Sequence, residues 1–495
     1  MFILRNSAKN WNKFASYSVL PDKAAKSWQL DSTPGWFIDN SVDDNISIKH
    51  VKKFRYSMFN LSKSIGNKII IYNTASEAVV VLSDIEFKQI SSFLNDNKFC
   101  LTADLLKSLS QLGIIVDEED DEMFKIHYII NSSIYNTSKI KSFVLYPTTE
   151  CNARCFYCFA HDDIVRGEKM TIETADNVLN FIYNQVYEGD EVVFRWFGGE
   201  PLFAADVIDY IVCHFKDYFD GKIPFHSIIT TNSSLITEDL LNHAISNWNL
   251  RKLLIPIDGY KDNHNKRKNY KNTIAEDYYQ SLQNVVRLSL EREVYVICRL
   301  NLDKKNIEDL DNILNDFKQF SEYSNFYIHP TTLHIPEFMQ DKLHESFFKP
   351  EDFNSLYFDI FSKLLNDGFY KSILDIIPKR QLSVCEARLN NHYLVSSDGR
   401  LYACEQENHI PQNAIGDCCS GIRHNANLKK WINSKISIEC INCAYMPICL
   451  GGCEYYRSRN DGLVTPCTRV KFYIDALMNL IYKYLPKDVV DGTTI

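Results

Sequence analysis

Two things are missing from this 495-residue chain, and each absence removes a class of function. There is no block of clustered Lys and Arg, and the 54 basic residues are outnumbered by 63 acidic ones, for a formal net charge of -9. A nucleic-acid groove neutralises phosphates with grouped cations, so no nucleic-acid partner is expected. There is also no apolar run long enough to cross a bilayer, and Met1-Phe2-Ile3-Leu4-Arg5 is too short an apolar start for a signal peptide. The expectation is a cytoplasmic protein with no membrane partner. Cysteine, by contrast, is plentiful. There are 15, most of them after residue 384, and in a reducing compartment such numbers serve metal ligation rather than disulfides. The length allows two or three domains with a sizeable core.

The chain is organised around Thr148-Thr149-Glu150-Cys151-Asn152-Ala153-Arg154-Cys155-Phe156-Tyr157-Cys158, directly after the apolar run 143–146. Three thiols separated by three and then two residues can converge on one site from a single loop. Three is one short of the four that close a structural zinc or iron-sulfur site, so a metal held here keeps a position open for a ligand. A partial zinc site is the plain alternative. The spacing C-x3-C-x2-C, with the aromatic Tyr157 before the third cysteine, resembles the radical S-adenosylmethionine (SAM) enzymes. That resemblance implies that Cys151, Cys155 and Cys158 bind a 4Fe-4S cluster whose fourth iron takes the amine and carboxylate of SAM.

Residues 1–50, interrupted by Pro21, Pro34 and Gly35, suggest no role. From Lys68 the runs 68–72 and 78–82 predict a β-hairpin rich in branched residues. A helix capped by Asp84 and ending near Leu94 follows. A second helix from Thr102 puts Leu105, Leu106, Leu109 and Leu112 on one face and stops at Gly113. Ile114-Ile115-Val116 predicts a further short strand. This order resembles the winged-helix-like precursor-recognition module fused to many peptide-modifying radical SAM enzymes. A β-rich cap on the next domain is the alternative. The acidic run 117–122 reads as a solvated linker.

Between residues 143 and 330 strand-like runs at 143–146, 191–197, 225–231, 252–257, 294–301 and 325–329 alternate with helical periods. Six βα units imply a parallel sheet with right-handed crossovers, an α/β fold whose ligands gather at the C-terminal strand ends. The polar motifs fall there. Gly198-Gly199-Glu200-Pro201 ends the second strand, where glycines let backbone approach a ligand and Glu200 can accept from an ammonium group. It resembles the GGE-P motif of the same family, which implies contact with the SAM amine. Asn232 after the third strand and Asp258 after the fourth resemble its polar contacts to SAM and the ribose. Period two puts Arg299 and Asn301 on one face of the fifth strand, which makes Arg299 a candidate for the SAM carboxylate. Cys298 then points toward the helix layer as a core residue. His329, at the end of the sixth strand, is within reach of the same region, although a lone histidine there more commonly serves structure.

The tail holds the second motif. Cys385, Gly399 and Cys404 are followed by Cys440-x2-Cys443-x5-Cys449-x3-Cys453 and then Cys467, an order and spacing that resemble the SPASM domains. The resemblance implies two auxiliary 4Fe-4S clusters, one on Cys440, Cys443, Cys449 and Cys467, the other on Cys385, Cys404 and Cys453. A zinc ribbon could use the quartet alone. The pattern lacks one ligand: 380–384 offer no cysteine, so either Cys418 or Cys419 completes the second set or its iron is open. Cys100 and Cys213 read as packing residues.

Together the resemblance covers residues 143–470. It implies a partial (β/α)6 radical SAM barrel at 140–335, preceded by the recognition module within 1–135, and followed by a helical connector at 336–378 and a SPASM domain at 379–495. The activity implied is reductive cleavage of SAM to a 5′-deoxyadenosyl radical, which takes hydrogen from a residue of a ribosomally made precursor peptide to give a thioether, cyclophane or other oxidised product. Three 4Fe-4S clusters, SAM and a low-potential donor such as flavodoxin or ferredoxin are implied with it. Formylglycine formation by an anaerobic sulfatase-maturating type of enzyme is the alternative in the same chemistry. A non-catalytic iron-sulfur scaffold is the alternative from another class, and it would have no use for Glu200, Asn232, Asp258 and Arg299.

Overall fold

The structure, a computed structural model, describes residues 1–4, 53–96, 101–135, 139–158, 167–271, 277–333, 344–408, 410–459 and 467–486. The lead-in at 5–52, Cys100 and the start of the connector at 340–343 lie outside the described residues.

The first part contains β1 (Phe2–Leu4), β2 (Phe54–Tyr56), β3 (Asn60–Ile65), β4 (Lys68–Asn73), β5 (Val79–Ser83) and β6 (Ile115–Asp117), with helices α1 (Asp84–Asp96), α2 (Ala103–Gln111) and α3 (Glu122–Tyr135). The hairpin expected from the branched runs is β4–β5, the centre of an antiparallel sheet ordered β1-β5-β4-β3. Both of its faces are covered. Ile70, Tyr72, Val79 and Val81 point into the main core, whereas Ile69, Ile71, Val80 and Leu82 pack with Leu109 of α2 and with Ile114 and Ile115, which is period two read on both sides. Thr102 caps α2 by accepting from Leu105 N–H at 3.3 Å, a contact worth about 1 kcal/mol.

The acidic run is not wholly a solvated linker. Glu122 is buried at the start of α3, where its carboxylate pairs with Arg55 at 2.7 Å and accepts from the backbone of Met58 at 2.9 Å. Ile126, Ile130 and Ile134, one helical turn apart, then bury against Val384, Met446 and Leu450 of the cysteine-rich tail.

The main sheet follows: β7 (Ile140–Thr148), β8 (Glu191–Gly198), β9 (Phe225–Thr230), β10 (Leu250–Ile257), β11 (Tyr295–Leu302) and β12 (Phe326–Thr332). They run parallel and lie side by side in chain order. Helices α4 (Ile172–Gln185), α5 (Ala205–Tyr218), α6 (Glu238–Asn247), α7 (Asp262–Lys268), α8 (Tyr278–Glu291) and α9 (Leu310–Phe317) occupy the connections. One face of every strand is dry: Phe143, Phe194, Trp196, Leu253, Cys298 and Ile328 pack into the helix layer. The alternate residues Arg195, Phe197, Thr230, Leu254, Arg299, Tyr327 and His329 are only partly buried. Core on one side and partial exposure on the other is what a curved sheet lining a cleft gives.

Beyond α10 (Phe353–Asn366), the tail does not form a separate sheet. β13 (His392–Val395) pairs parallel with β7, and β14 (Arg400–Tyr402), β15 (Gly416–Asp417) and β16 (Gly421–Ile422) continue the same sheet antiparallel. Gly399, at φ +84°, closes the β13–β14 hairpin in a conformation that disfavours a side chain, which accounts for a glycine at that point of the cysteine pattern. Short helices α11 (Ala426–Ile432), α12 (Met446–Cys449) and α13 (Glu454–Arg459) follow, with Cys449 ending α12 and Cys453 directly before α13, and α14 (Val470–Lys483) packs along α10.

Three histidines are held neutral in this interior. Burial, aided by Lys268 beside His264 and by Arg299 and Arg469 beside His329, brings their pKa values down to about 3 and about 4, and burial brings His392 to about 4. Between those values and the ordinary 6.5 the folded state binds fewer protons than the unfolded one. The stability is therefore present above pH 6.5 and is lost as pH falls toward 4. His392→Gln is expected to flatten the fall in melting temperature between pH 7 and 5; an unchanged pH profile would remove this role.

Candidate active site

The cysteine loop hangs from the C-terminal end of β7 and is fastened to the end of β8. Glu200 N–H donates to Glu150 O at 2.7 Å and Gly199 N–H to Thr148 O at 3.1 Å. A Cβ at Gly198 would stand 2.3 Å from Thr148 O, and one at Gly199 2.2 Å from Glu150 O. The glycines are therefore required by the close approach of β8 to the cysteine loop, in addition to any ligand. Glu200 is fully buried, and its oxygens accept from Thr231 Oγ1 (2.7 Å), Asn232 N–H (2.8 Å) and Leu202 N–H (3.3 Å). Burial outweighs these donors and pushes its pKa up to about 7. The carboxylate expected to meet an ammonium group thus also braces strand ends, beside the partly buried Gly198 and Gly199.

Asn232 also turns inward. Its Nδ2 donates to Asn152 Oδ1 at 2.9 Å and lies 3.9 Å from Cys151 Sγ, which makes it a neighbour of the first thiol. Asp258, fully buried, accepts from Tyr157 OH at 2.7 Å and Asn301 Nδ2 at 2.9 Å, and pairs with Lys268 Nζ at 3.1 Å. Burial would raise this carboxyl, but Lys268 foremost, then His264, Tyr157 and Asn301, hold it below its ordinary value. Lys268 is 2% exposed and sits next to Cys155 as well. Its carbonyl accepts from Arg154 N–H at 2.8 Å, and Lys271 N–H donates to Asn152 O at 2.6 Å, so the segment after α7 clamps the cysteine loop from the far side.

Burial raises the pKa of Cys151, to about 12, and that of Cys155. Among the described residues no three His, Cys, Asp or Glu side chains are close enough to ligate one ion. A four-iron cluster asks for a wider triangle, because each thiolate binds a different iron. Three partly buried thiols with the cation of Lys268 behind them fit such an anionic group.

The tail cysteines sort into two sets. Cys385, Cys404 and Cys453 lie near one another, as do Cys440, Cys443, Cys449 and Cys467, and burial raises the pKa of Cys385, Cys404, Cys453, Cys440 and Cys449. The resemblance implied the same two groupings. Cys418 is buried in the core, where the charged groups near it are Cys419, Asp417 and Asp398, and Cys419 is exposed. Cys385, Cys404 and Cys453 are not among the charged neighbours of Cys418. A Cys418→Ala/Cys419→Ala variant is accordingly expected to keep about twelve irons by four-iron stoichiometry and an unchanged auxiliary-cluster spectrum. A lost or altered cluster would make one of them a ligand.

Residues 145–317 match the family model of the Radical SAM superfamily. The chain carries a radical SAM domain. It is 22% identical over 382 residues to the radical SAM cyclopropyl synthase TigE of Paramaledivibacter caminithermalis, covering 71% of this chain and 76% of that protein. It is 23% identical over 341 residues to the cysteine-type anaerobic sulfatase-maturating enzyme of Clostridium novyi, covering 63% of this chain and 87% of that one. In fold it is similar to native anSMEcpe with bound AdoMet and Cp18Cys peptide, at a TM-score of 0.55 and 18% identity, over 72% of this chain and 100% of that chain. No described helix is long and apolar enough to cross a membrane.

The radical SAM domain and the tail meet at the inner face of β7. Tyr146, on the inner face of β7, has a buried hydroxyl with no hydrogen-bond partner among the described residues, and Glu405, Cys404, Arg195 and Cys158 all lie near it. Arg195 pairs with Glu386 at 2.5 Å and lies 3.8 Å from Glu405. Arg299 faces this cleft, near Glu405 and His329, rather than Glu200 and Asp258; its Nε is buried and unpaired among the described residues. Asn301, two residues on, is the member of that face that reaches Asp258. Cys298 is in the core as expected, and Cys213 is exposed rather than packed. Sequence reasoning missed Lys268, Glu386 and Glu405. Lys268 ends a basic triplet that reads as solvent-facing, and the two glutamates stand immediately after Cys385 and Cys404, the one signal that tied them to the site.

Proposed function

We propose that this protein is a SPASM-type radical SAM enzyme that takes hydrogen from a residue of a ribosomally made precursor peptide held between a SAM-binding cluster and an auxiliary cluster. The observation that carries the reading is Tyr146, whose hydroxyl lies near both Cys158 of the first motif and Cys404 of the tail, so that a substrate in this cleft meets both sites. Cys151, Cys155 and Cys158 would hold the SAM-binding cluster, with Cys440, Cys443, Cys449 and Cys467, and Cys385, Cys404 and Cys453, holding the auxiliary ones. Bound SAM and a reduced 4Fe-4S cluster supply a 5′-deoxyadenosyl radical, the chemistry that belongs to the cofactor. The chain supplies the rest. The glycines 198–199 let the end of β8 close on the cysteine loop, and the brace through Glu200, Thr231 and Asn232 keeps that end rigid. The Asp258–Lys268 pair fixes Tyr157 and the loop, while Arg195, Arg299, Glu386 and Glu405 give the cleft the polar contacts that orient a peptide. The electron donor is proposed to be a flavodoxin or ferredoxin.

The relative from Clostridium novyi keeps formylglycine formation as a second reading. Residues 53–135 count against it, because a folded sheet and three helices precede the barrel. The deciding experiment incubates anaerobically reconstituted protein, SAM and dithionite with a short peptide encoded beside its gene, and reads the peptide by mass spectrometry. Loss of hydrogen from that peptide is expected. Conversion of a sulfatase-derived Cys or Ser peptide instead, with the neighbouring peptide untouched, would overturn the proposal in favour of the second reading.

A further inference from the structure

Lys268 and Lys271 stitch one short segment to the cysteine loop, and Tyr270 stands between them. Lys268 O accepts from Arg154 N–H at 2.8 Å and Lys271 N–H donates to Asn152 O at 2.6 Å, so the segment is held at both ends. Asn269, the left-handed C-cap of α7 at φ +50°, turns the chain there. The Tyr270 ring stacks on Tyr278 of α8, with centroids 3.8 Å apart and planes 20° from parallel. Its hydroxyl is buried and has no hydrogen-bond partner among the described residues. Around that hydroxyl lie Cys155 and Cys151 of the loop, Asp258 after β10 and Glu200 after β8.

We propose that Tyr270 donates a hydrogen bond to a sulfur of the cluster assigned to Cys151, Cys155 and Cys158, and that it raises the reduction potential of that cluster. This deepens the reading above and rests on it for the presence of the cluster.

The four neighbours differ in what they can still accept. Asp258 is already supplied by Tyr157, Asn301 and Lys268, and Glu200 by Thr231 and the backbone of Asn232 and Leu202. The thiols change when they become ligands: each loses its proton and turns into an anionic acceptor. A buried donor without a partner is costly, and an acceptor that arrives with the ligand removes that cost. Burial, followed by the charges of Cys155, Asp258, Glu200 and Cys151, keeps the pKa of Tyr270 above the ordinary tyrosine value, so the phenol retains the proton it donates. Reduction makes the sulfurs more negative, and a hydrogen bond to them stabilises the reduced form more than the oxidised one. Lys268 acts on the same loop as a charge that Asp258 partly neutralises, whereas Tyr270 adds a directed dipole.

The test is a redox titration, followed by electron paramagnetic resonance, of full-length anaerobically reconstituted protein without SAM, with iron and sulfide quantified. The loop cluster is the signal absent from the Cys151→Ala/Cys155→Ala/Cys158→Ala protein. Tyr270→Phe keeps the stacked ring and removes the donor alone. At a fixed potential its loop cluster is expected to show a reduced-to-oxidised ratio lower by on the order of tenfold, a shift of about 59 mV for a one-electron couple. Tyr270→3-fluorotyrosine, a stronger donor of nearly the same shape, should move the ratio the other way, and it decides the matter if Tyr270→Phe does not keep its loop iron. In deuterated water the unaltered protein should show an exchangeable deuteron coupled to the loop cluster that Tyr270→Phe lacks, a signature that a merely structural tyrosine would not give. Equal potentials or identical deuteron couplings would overturn the proposal. So would an effect confined to SAM affinity, which would put the hydroxyl on SAM instead. A triple-alanine protein that has lost no signal would remove the loop cluster and the reading above along with it, whereas a loop signal at the same potential in every Tyr270 variant removes only the role of this tyrosine.

Discussion

Replacing Cys151, Cys155 and Cys158 with alanine is expected to abolish 5′-deoxyadenosine formation under dithionite while leaving about eight of twelve irons in place, by four-iron stoichiometry. The division follows from where the thiols sit. The three cysteines occupy one loop at the end of β7, clamped by Glu200 N–H on one side and the carbonyl of Lys268 on the other, whereas the tail sets are assembled by β13–β14 and the short helices after it. Each set of thiols would hold its own four-iron unit, so removing one set is expected to subtract four irons. Loss of all iron would show that the sites fold together. Undiminished 5′-deoxyadenosine from the triple variant would place the reactive cluster elsewhere.

Lys268→Met is expected to destabilise the protein by about 3–5 kcal/mol, the range for removing one partner of a buried ion pair. Asp258 is left without its cation at zero exposure, and the loop loses the positive charge beside Cys155. The effect should be read as a fall in the melting temperature of the iron-loaded protein together with a lower reduction potential of the loop cluster, since a purely structural lysine would shift only the first. Asp258→Asn in the same chain should recover a large part of the stability, because the uncompensated carboxylate is what costs most. A Lys268→Met protein as stable as the parent would mean that the pair is solvated and that the clamp is not held by charge.

The parallel strands were legible because each is a short run of branched and aromatic residues between helical periods, and four of the six runs match their strands to within two residues at either end, the first covering only 143–146 of β7. The last extends three residues past His329, to Thr332. The cysteine sets were legible because ligand spacing is local within each motif. What the sequence concealed is long-range. β13 is four residues of ordinary composition, and only its pairing with β7, some 250 positions earlier, makes the tail part of the main sheet. Glu122 sits in a run of acids that looks solvated, yet Arg55 and the Met58 backbone bury it. Asp258 and Glu200 stand at strand ends, where a ligand contact and a structural brace have the same one-dimensional signature. In the structure both carboxylates accept from protein donors and so serve as braces.

The central claim is that this chain cleaves SAM reductively at the loop between β7 and α4. Anaerobically reconstituted full-length protein, with iron and sulfide quantified, is mixed with SAM and dithionite and followed by liquid chromatography and mass spectrometry. The account predicts 5′-deoxyadenosine and methionine appearing in equal amounts and in proportion to iron in the loop site; protein carrying a full complement of iron that yields neither product would contradict it.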